Sequence, residues 1–447
     1  MEIKESIFKA YDIRGVFPEE INEDIAYRIG RSFVSFLKAK NIAVGRDMRV
    51  SSPALAKSFI KGVVDQGCNV TDFGMVGTDM LYVGVAMYGY EGGVIITASH
   101  NPKEYNGMKL VRERAIPLSG ETGIQDIKKM VVENNFAEPE KKGNLYNRDI
   151  WADYVKHTLG FVDSSKIKPF KIVMDAGNGM SGKMIPPVFE KLPVTIIPMY
   201  FDVDGTFPNH EANPLIEENR VEIMKRVVEE NADLGIAFDG DVDRCFFIDD
   251  QGEFVSGDFV TALLAEAILR KHHGESILYD LRASWAVRDK VLENGGKPFM
   301  NRVGHAFFKE RMRKEKAIFG GEVTGHYYFR DNYNADSGII PALLMLELLS
   351  TKEAKLSQLI KPLKEKYFIS GEINSKVRDT QGKIKELAER YNDAQISYLD
   401  GISVDYDDWH FNVRPSNTEP LLRLNLEAKT KEMMEQKKNE VLAIIKH

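Results

Sequence analysis

The chain has 447 residues, a formal net charge of −7 at pH 7 and a hydrophobic fraction of 43%. That length predicts three or four domains, and the composition is ordinary for a folded protein, which argues against a disordered chain or a fibrous repeat. The negative charge also argues against a nucleic-acid-binding protein. An anionic ligand would therefore have to be held by a local cluster of basic residues.

The sequence carries no signature of export, of a membrane span or of a disulfide scaffold. Its two cysteines, Cys68 and Cys245, lie far apart and outside any thiolate metal motif. The start of the chain lacks the apolar stretch of a signal peptide, and no run of about 18 apolar residues occurs. We therefore expect a cytoplasmic protein that does not contact a membrane.

Short strand-like runs alternate with amphipathic helical stretches along most of the chain, a pattern that predicts α/β layers. The pattern changes near the end, where the remaining residues indicate a small α+β unit. We expect four domains, at residues 1–150, 151–250, 251–368 and 369–447.

One predicted helix follows Asp258. Val260, Leu263, Leu264 and Ile268 recur on one helical face, and the aspartate would cap the helix N-terminus. These apolar residues are expected to lie in the core.

Three predicted strands end in polar loops. They are residues 93–96, 172–174 and 234–238. Ligands of open α/β sheets bind beyond the carboxyl ends of the strands, so the three loops could face one cleft.

The third loop carries three aspartates at alternate positions. Asp239, Asp241 and Asp243 follow one apolar strand, and Arg244 leads directly into the next. Carboxylates this close repel one another unless a hard cation neutralises them, and oxygen-only ligands on a short loop suit Mg²⁺ better than Zn²⁺. A divalent ion beside a guanidinium favours phosphate chemistry. The alternative is an ordinary acidic turn, which the two flanking strands disfavour.

The first loop carries a serine. Ser99 is flanked by His100, and Pro102 keeps the segment out of a helix. The loop could present a nucleophilic or phosphorylated serine, with Lys109 supplying positive charge. It could also be an ordinary loop, because an activated nucleophile is assembled in space and not by adjacent residues.

Two further segments are rich in glycine or hydroxyl groups. In residues 320–326, glycines surround a carboxylate, a hydroxyl and an imidazole, which would let a polyhydroxylated ligand approach closely. In residues 414–420, an arginine, two hydroxyls and an amide would suit a phosphate dianion. A glycine turn and a polar hairpin loop are the respective alternatives.

Basic and aromatic residues elsewhere could line the same cleft or bridge to acidic neighbours. They lie at residues 11–15 and 44–47 and around residue 304. The residues concerned are Tyr11, Arg14, Arg46, Arg302, His305 and Lys309.

Together these segments resemble the α-D-phosphohexomutase superfamily, and specifically its bacterial phosphomannomutase/phosphoglucomutase branch. Four signatures occur in the family's order. Residues 97–102 resemble its phosphoserine loop, 239–244 its metal loop, 321–326 its sugar-binding loop and 414–420 its phosphate-binding loop. Each motif is short, but four in order across nearly the whole chain are specific.

The resemblance implies four domains around one deep cleft. Three would be similar mixed α/β domains, and the fourth a C-terminal α+β domain of the TATA-box-binding-protein-like type. Ser99 would carry a phosphoryl group. Its phosphate oxygen would complete a Mg²⁺ site with Asp239, Asp241 and Asp243.

The implied reaction has two steps. Phosphoserine donates its phosphoryl group to a hexose monophosphate, and the bound hexose 1,6-bisphosphate turns end for end and returns its other phosphate to Ser99. Arg14, Lys109 and Arg244 would supply positioning and positive charge. Glucose 1,6-bisphosphate or an equivalent hexose bisphosphate would be the activator of a monomeric or dimeric enzyme. The candidates for proton transfer, among which the sequence does not choose, are His100, Lys109 and His326.

The distal phosphate must be held equally well in both orientations of the intermediate. The resemblance assigns it to the phosphate loop, and it assigns the sugar hydroxyls to the sugar loop. The implied substrate-binding residues are Tyr11, Arg282, His305, Glu322, Thr324, His326, Arg414, Ser416, Asn417 and Thr418.

Departures from the family pattern bear on the substrate. Phosphoglucosamine mutases usually have glycine where Asn417 stands and a polar residue where Val323 stands, so mannose and glucose phosphates are favoured. Thr324 replaces a common serine, and Arg282 stands near a usual lysine. The preference between mannose and glucose therefore stays open, and phosphoglucosamine mutase is the alternative within the superfamily.

Residues 201–206 also match the nucleophile motif of haloacid-dehalogenase-type phosphatases. The attacking residue would be Asp202, again with Mg²⁺. Pro198 argues against this alternative because it is expected to interrupt the preceding strand. The alternative also leaves the serine, sugar and phosphate loops without a role.

Overall fold

The structure of the protein, a computed structural model, describes residues 3–415 and 421–446. The strands form four sheets, and each sheet is built from one consecutive part of the chain. Three mixed α/β parts are followed by an antiparallel α+β part, as the predicted fold class requires. None of the helices in the described residues is long and apolar enough to cross a membrane.

The first part is a seven-stranded sheet covered by helices. Its elements are β1 (Ile13–Val16), α1 (Glu23–Leu37), β2 (Asn41–Arg46), α2 (Ser52–Asp65), β3 (Asn69–Met75), α3 (Thr78–Met87), β4 (Gly92–Ile96), β5 (Tyr105–Arg112), β6 (Ile116–Pro117), α4 (Gln125–Glu133) and β7 (Leu145–Asn147). The strand order is β1-β5-β4-β2-β3-β7, with β6 paired to β5. Strands β2, β3, β4 and β7 are parallel, and β5 is antiparallel to β1 and β4.

The second part is a five-stranded sheet in the order β12-β11-β10-β8-β9. Its elements are α5 (Trp151–Leu159), β8 (Phe170–Asp175), α6 (Ser181–Phe189), β9 (Val194–Met199), α7 (Val221–Glu229), β10 (Leu234–Phe238), β11 (Cys245–Ile248) and β12 (Phe254–Val255). Strand β10 runs parallel to β8 and antiparallel to β11, so the metal loop joins an antiparallel pair.

The third part is a second five-stranded sheet, in the order β14-β13-β15-β16-β17. Its elements are α8 (Gly257–Leu269), β13 (Ser276–Asp280), α9 (Trp285–Glu293), β14 (Lys297–Asn301), α10 (His305–Glu315), β15 (Phe319–Gly321), β16 (Tyr327–Phe329), β17 (Ala335–Asp336), α11 (Ile339–Lys352) and α12 (Leu356–Lys366). The sugar loop follows β15 and leads into the antiparallel strand β16.

The fourth part is an antiparallel sheet with two helices. Its elements are β18 (Phe368–Ile369), β19 (Ile373–Lys376), α13 (Thr380–Arg390), β20 (Gln395–Ser397), β21 (Ile402–Asp405), β22 (Trp409–Pro415), β23 (Leu421–Ala428) and α14 (Lys431–Lys446). The order is β18-β23-β22-β21-β20, with β19 paired to β23.

One cluster of buried apolar side chains spans the first three parts of the fold and includes Met80, Met184 and Leu263. The first part also has a second core, around Phe33. The fourth part has a separate core, around Leu387. The cluster common to the first three parts sets the serine, metal and sugar loops on a common frame.

Two local predictions are wrong. Helix α8 begins after Ser256, its N-cap, so Asp258 lies within the first turn, where its Oδ1 accepts from the N–H of Phe259 at 2.9 Å. Every residue of α8 is buried, so it has no single apolar face. Strand β9 runs through Pro198 without interruption, because β9 is an edge strand and needs no second ladder of hydrogen bonds.

Candidate active site

The structure places the serine against the metal loop. Ser99 lies beyond β4 with only 1% of its surface exposed. Its Oγ donates to Asp239 Oδ2 at 2.8 Å and lies 3.1 Å from His100 Nδ1. The backbone φ at Ser99 is 50°, a left-handed conformation unusual for serine. Two loops from different sheets thus meet at one hydroxyl group.

The metal loop itself turns tightly. Val242 has a φ of 66°, which is an outlier for a β-branched side chain. This turn directs Asp239, Asp241 and Asp243 to one point, and their carboxylate oxygens lie within 4.8 Å of one another. All three aspartates are buried.

Lys109 is the principal positive charge in contact with this cluster. Its Nζ donates to Asp241 Oδ2 at 2.7 Å and to Asp243 Oδ2 at 2.5 Å. The hydroxyl of Thr78, the first residue of α3, donates to Asp241. Strand β5 and helix α3 of the first part therefore bind the metal loop of the second.

The buried charges shift one another's pKa values. Burial and the charges of Asp243 and Asp241 raise the pKa of Asp239 well above its usual range. Burial also opposes ionisation of Asp241 and Asp243, but the Lys109 ammonium outweighs it and lowers both pKa values. The cluster therefore carries negative charge that calls for a second cation.

The three aspartates could hold a metal ion. The Oδ1 atoms of Asp241 and Asp243 are buried and have no hydrogen-bond partner within the part of the chain that the structure describes. Free, buried carboxylate oxygens facing one point fit a hard divalent cation. A second possible group of ligands combines Asp243 with His326 and Asp336, but Lys309 already pairs with Asp336 at 2.6 Å.

The sugar loop joins the metal loop through Arg244 and His326. The two residues form an antiparallel bridge, and Arg244 Nε donates to His326 Nε2 at 3.0 Å. Because Nε2 accepts this bond, the ring proton belongs on Nδ1, which lies 3.0 Å from Asp336 Oδ2. Gly325 allows the approach: its φ is 84°, and a Cβ there would lie 2.7 Å from the Phe246 ring.

His100 is a neutral imidazole next to the serine. Burial lowers its pKa well below the usual value, and the charges of Arg244 and Arg14 add to that effect. The pKa of Lys109 is raised instead, because Asp241 and Asp243 outweigh its burial. Of these two side chains, His100 is the one that can accept a proton.

Arg14 and Tyr11 enter the same cleft from the first part. Arg14 donates to the side chains of Asn101 and Asp12, so it flanks the serine loop. The Tyr11 ring packs edge-on against His305 at a centroid distance of 5.4 Å. Tyr11 therefore connects the first part of the fold to the third.

Glu322 and Arg282 anchor the sugar loop. Glu322 is buried and accepts from the N–H of Gly304 at 2.9 Å and from the Tyr328 hydroxyl at 3.1 Å. Asp280 accepts from Arg282 Nη2 at 2.8 Å and from the N–H of Val323 at 2.9 Å. Asp280 thus links Arg282 to the sugar loop.

A cavity of about 590 Å³ opens beside Thr324 and Arg282 and extends to the fourth part. Arg282 and Arg414 both contact Glu372, each at 3.4 Å. These contacts bring Arg414 of the predicted phosphate loop close to Arg282, a predicted substrate-binding residue of another sheet. Ser416, Asn417 and Thr418 lie outside the described residues, so their predicted role stays a prediction.

Arg49 holds the serine loop in shape and was not identified from the sequence. It is fully buried, and its guanidinium donates to the carbonyl oxygens of Ser99 at 2.9 Å, Pro102 at 2.7 Å and Tyr105 at 2.9 Å. The sequence drew attention instead to the neighbouring Arg46, which pairs with Asp72 near the surface. Nothing in the local pattern tells which of the two arginines is buried.

Other supporting residues also lack a sequence signal. Each lies at the end of a strand, at the start of a helix or between strands, and acts through another residue. They are Thr78, Asp280, Asp336 and Glu372.

Comparisons with known proteins agree with this architecture. Family models for the phosphoglucomutase/phosphomannomutase α/β/α domains I, II and III and the C-terminal domain match residues 5–138, 151–252, 256–367 and 372–444. A phosphomannomutase of Escherichia coli is 46% identical over 98% of this chain and 99% of its own length. One of Vibrio cholerae is 45% identical and covers 98% of both chains.

A crystal structure of a phosphoglucomutase/phosphomannomutase family protein from Burkholderia thailandensis superposes with a TM-score of 0.91. It is 31% identical and covers 99% of this chain and 97% of its own. The four-sheet fold is thus that of a phosphohexomutase. The chain belongs to the phosphoglucomutase/phosphomannomutase family.

The predicted superfamily, fold class and enzyme class are therefore confirmed. The haloacid-dehalogenase alternative gains no support. Asp202 is exposed on the loop after β9, and its backbone carbonyl merely accepts a hydrogen bond from Asn178.

Replacing Arg49 by lysine tests its role as a positioning residue. Lysine keeps the charge but cannot donate to several carbonyl groups in one plane. We expect kcat to fall by about 100-fold with a small change in KM, since a slight displacement of reacting groups costs that much. Steady-state mutase kinetics measure this. Arg112→Lys, at an exposed arginine paired with Glu113, is the control; wild-type kcat in Arg49→Lys would contradict the role.

Proposed function

We propose that the protein is a phosphomannomutase/phosphoglucomutase, which interconverts hexose 1-phosphate and hexose 6-phosphate through a phosphoserine at Ser99 and a hexose 1,6-bisphosphate. One observation carries the proposal: the Ser99 hydroxyl donates at 2.8 Å to the first carboxylate of a buried cluster of three aspartates. A serine that merely filled a loop would not need this acidic surrounding. The names of the relatives support mannose and glucose phosphates as substrates.

We assign the acidic cluster to Mg²⁺. When bound there, the ion would neutralise the negative charge of the phosphoryl group on Ser99. A structure of N-acetylphosphoglucosamine mutase from Aspergillus fumigatus contains magnesium, and a further one contains glucose 1,6-bisphosphate. These chains share 14% sequence identity with this one, so they support the assignment only through the common fold.

The reaction proceeds in two balanced transfers. In the first, the free hydroxyl oxygen of a hexose phosphate bonds to phosphorus, the bond between phosphorus and Ser99 Oγ breaks, and the proton of the sugar hydroxyl ends on Oγ. In the second, Oγ bonds to the phosphorus at the other end of the bisphosphate, the bond between that phosphorus and the sugar oxygen breaks, and the serine proton ends on the sugar oxygen. His100, whose Nδ1 lies 3.1 Å from Oγ, can relay the proton in both steps.

Charged groups around the reacting phosphate stabilise the transfer. Lys109 and Arg244 adjoin the aspartates, and Arg14 flanks the serine loop. Phosphoryl transfer depends on positioning and charge neutralisation, which these fixed side chains supply.

The other end of the substrate would lie between the third and fourth parts. Glu322 and Thr324 would hold sugar hydroxyls, and Arg282 and Arg414 would hold the distal phosphate. Both arginines are 7% exposed, and a guanidinium suits a phosphate because it can donate two parallel hydrogen bonds. The two guanidinium groups could bind the distal phosphate in this way in either orientation of the bisphosphate.

Replacing Ser99 by alanine tests the phosphoserine. The variant has no oxygen to carry the phosphoryl group, so we expect no isomerisation of glucose 1-phosphate above background in the presence of Mg²⁺ and glucose 1,6-bisphosphate. Intact-mass measurement is expected to show a phosphoryl group on the wild type and none on the variant. Ser181→Ala, at another buried serine, should stay active. Unchanged activity in Ser99→Ala would refute the mechanism.

Replacing Asp241 by asparagine tests the metal assignment. Loss of one anionic ligand is expected to raise the Mg²⁺ concentration for half-maximal activity by about tenfold or more. EDTA should abolish wild-type activity, and added Mg²⁺ should restore it. Asp202→Asn is the matched control, because it alters an exposed aspartate of the competing phosphatase motif. Loss of activity in that control, with normal Mg²⁺ dependence in Asp241→Asn, would favour the phosphatase instead.

A comparison of four substrates tests the specificity. We expect kcat/KM for mannose 1-phosphate and glucose 1-phosphate to exceed the values for the 1-phosphates of glucosamine and N-acetylglucosamine. The ratio is expected to be about tenfold or more, because an added acyl or charged amino group alters the fit to the sugar loop. Coupled assays at equal enzyme concentration measure the ratio. The reverse order would identify the phosphoglucosamine mutase alternative.

A further inference from the structure

Glu372 lies where three arginines converge, two of which the proposed function assigns to the distal phosphate. Its Oε2 lies 3.4 Å from Arg282 Nη1 and 3.4 Å from Arg414 Nη2, and its Oε1 lies 3.0 Å from Arg423 Nη1. The arginines come from two different sheets, and the glutamate comes from the link between β18 and β19. One carboxylate thus bridges three guanidinium groups.

The distances from Glu372 to Arg282 and Arg414 are long for charge-assisted hydrogen bonds. Ionic N–H···O bonds usually measure about 2.7–2.9 Å, whereas two of the three contacts here are 3.4 Å long. The side chain of Glu372 is also 27% exposed, while those of Arg282 and Arg414 are only 2% and 8% exposed. Of the three side chains, that of Glu372 therefore has the most direct access to solvent.

The charges explain why an anion is needed there. Burial opposes ionisation of Glu372, but Arg282, Arg414 and Arg423 outweigh it and lower its pKa. Arg414 is destabilised by burial and by the like charge of Arg282. Asp280 already pairs with Arg282 at 2.8 Å. The guanidinium of Arg414, buried beside it, therefore requires a further negative partner, either a carboxylate or a phosphate.

We propose that Glu372 is an internal competitor of the distal phosphate: its carboxylate neutralises Arg282 and Arg414 while the phosphate is absent, and a phosphate dianion displaces it. The inference rests on the proposed function, which assigns these two arginines to that phosphate. A dianion carries more charge than one carboxylate and can engage both guanidinium groups, so displacement favours the phosphate.

Competition between Glu372 and the distal phosphate would also affect how the bisphosphate turns. The bisphosphate must leave the arginines in order to turn end for end, and the carboxylate returns to them at that moment. It thereby weakens binding of the distal phosphate and lowers the barrier to its release. Glu372 lines the cavity of about 590 Å³, which leaves its side chain room to move away from the arginines.

Glu372→Gln tests the competition. The amide keeps the shape of the side chain but removes its charge. We expect the KM for glucose 1-phosphate and the inhibition constant of inorganic phosphate each to fall by about three- to tenfold, with kcat reduced because the bisphosphate is released more slowly. Glu389→Gln, at an exposed glutamate of α13, should change neither constant. Unchanged or raised constants in Glu372→Gln would overturn the proposal.

A double variant separates displacement from a general effect of charge. The Arg414→Gln substitution removes one of the two guanidinium groups for which Glu372 and phosphate would compete. In that background, Glu372→Gln should therefore alter phosphate affinity much less than it does in the wild type. An equal effect in both backgrounds would overturn the proposal. Thermal unfolding verifies folding, and if Glu372→Gln does not fold, Glu372→Asp, whose carboxylate is withdrawn by one methylene, is expected to give a smaller change in the same direction.

Failure of the competition and failure of the proposed function would give different experimental results. Absence of mutase activity towards every phosphosugar would refute that function. Calorimetric titration of the wild type and Glu372→Gln with inorganic phosphate still tests the competition in that case, because it requires no turnover. Equal affinities in that titration would refute the competition alone.

Discussion

The whole active centre depends on the neutralisation of three buried carboxylates. Asp239, Asp241 and Asp243 lie too close together to be left without cations, since removing even one charge from water costs several kcal/mol. Lys109 meets part of this demand and, because it stands on β5, ties the first sheet to the metal loop of the second. The same constraint places the Ser99 hydroxyl where a phosphoryl group would meet the remaining cation. The contacts that neutralise the carboxylates are therefore the same contacts that assemble the site.

At the distal end of the cleft, the buried charges are positive instead of negative. Arg282 and Arg414 bring buried positive charge together, and it is partly balanced by Asp280 and by Glu372 from the link between β18 and β19. The apolar cores add a mechanical difference, because the first three parts share one core and the fourth has its own. Polar contacts therefore account for much of what joins the fourth part to the rest, and such contacts exchange partners more easily than packed side chains do.

Sequence reasoning succeeded where local chemistry decides the structure. The strands on either side of the metal loop have the predicted bounds. The predicted serine, metal and sugar loops also meet in space, because Ser99 contacts Asp239 and Arg244 contacts His326. It failed where long-range packing decides. Helix α8 is buried on every side, so its pattern could not reveal that the helix begins after Ser256 and not after Asp258. Arg49 is recognisable only once the carbonyl groups that it binds, some 50 residues away, are folded against it.

The two ends of the cleft differ in rigidity in a way that suits the reaction. At the serine, positive φ angles at Ser99 and Val242 persist because neighbouring contacts leave no alternative. A Cβ at Gly240 would lie 2.5 Å from the carbonyl oxygen of Ser99, so the two loops are in backbone contact. At the arginines, by contrast, the contacts are long and ionic. Bond making requires the fixed end, and a bisphosphate that must turn requires the exchangeable one. Under the proposed function, one chain would thus combine a rigid reaction centre with a phosphate site that can release its ligand.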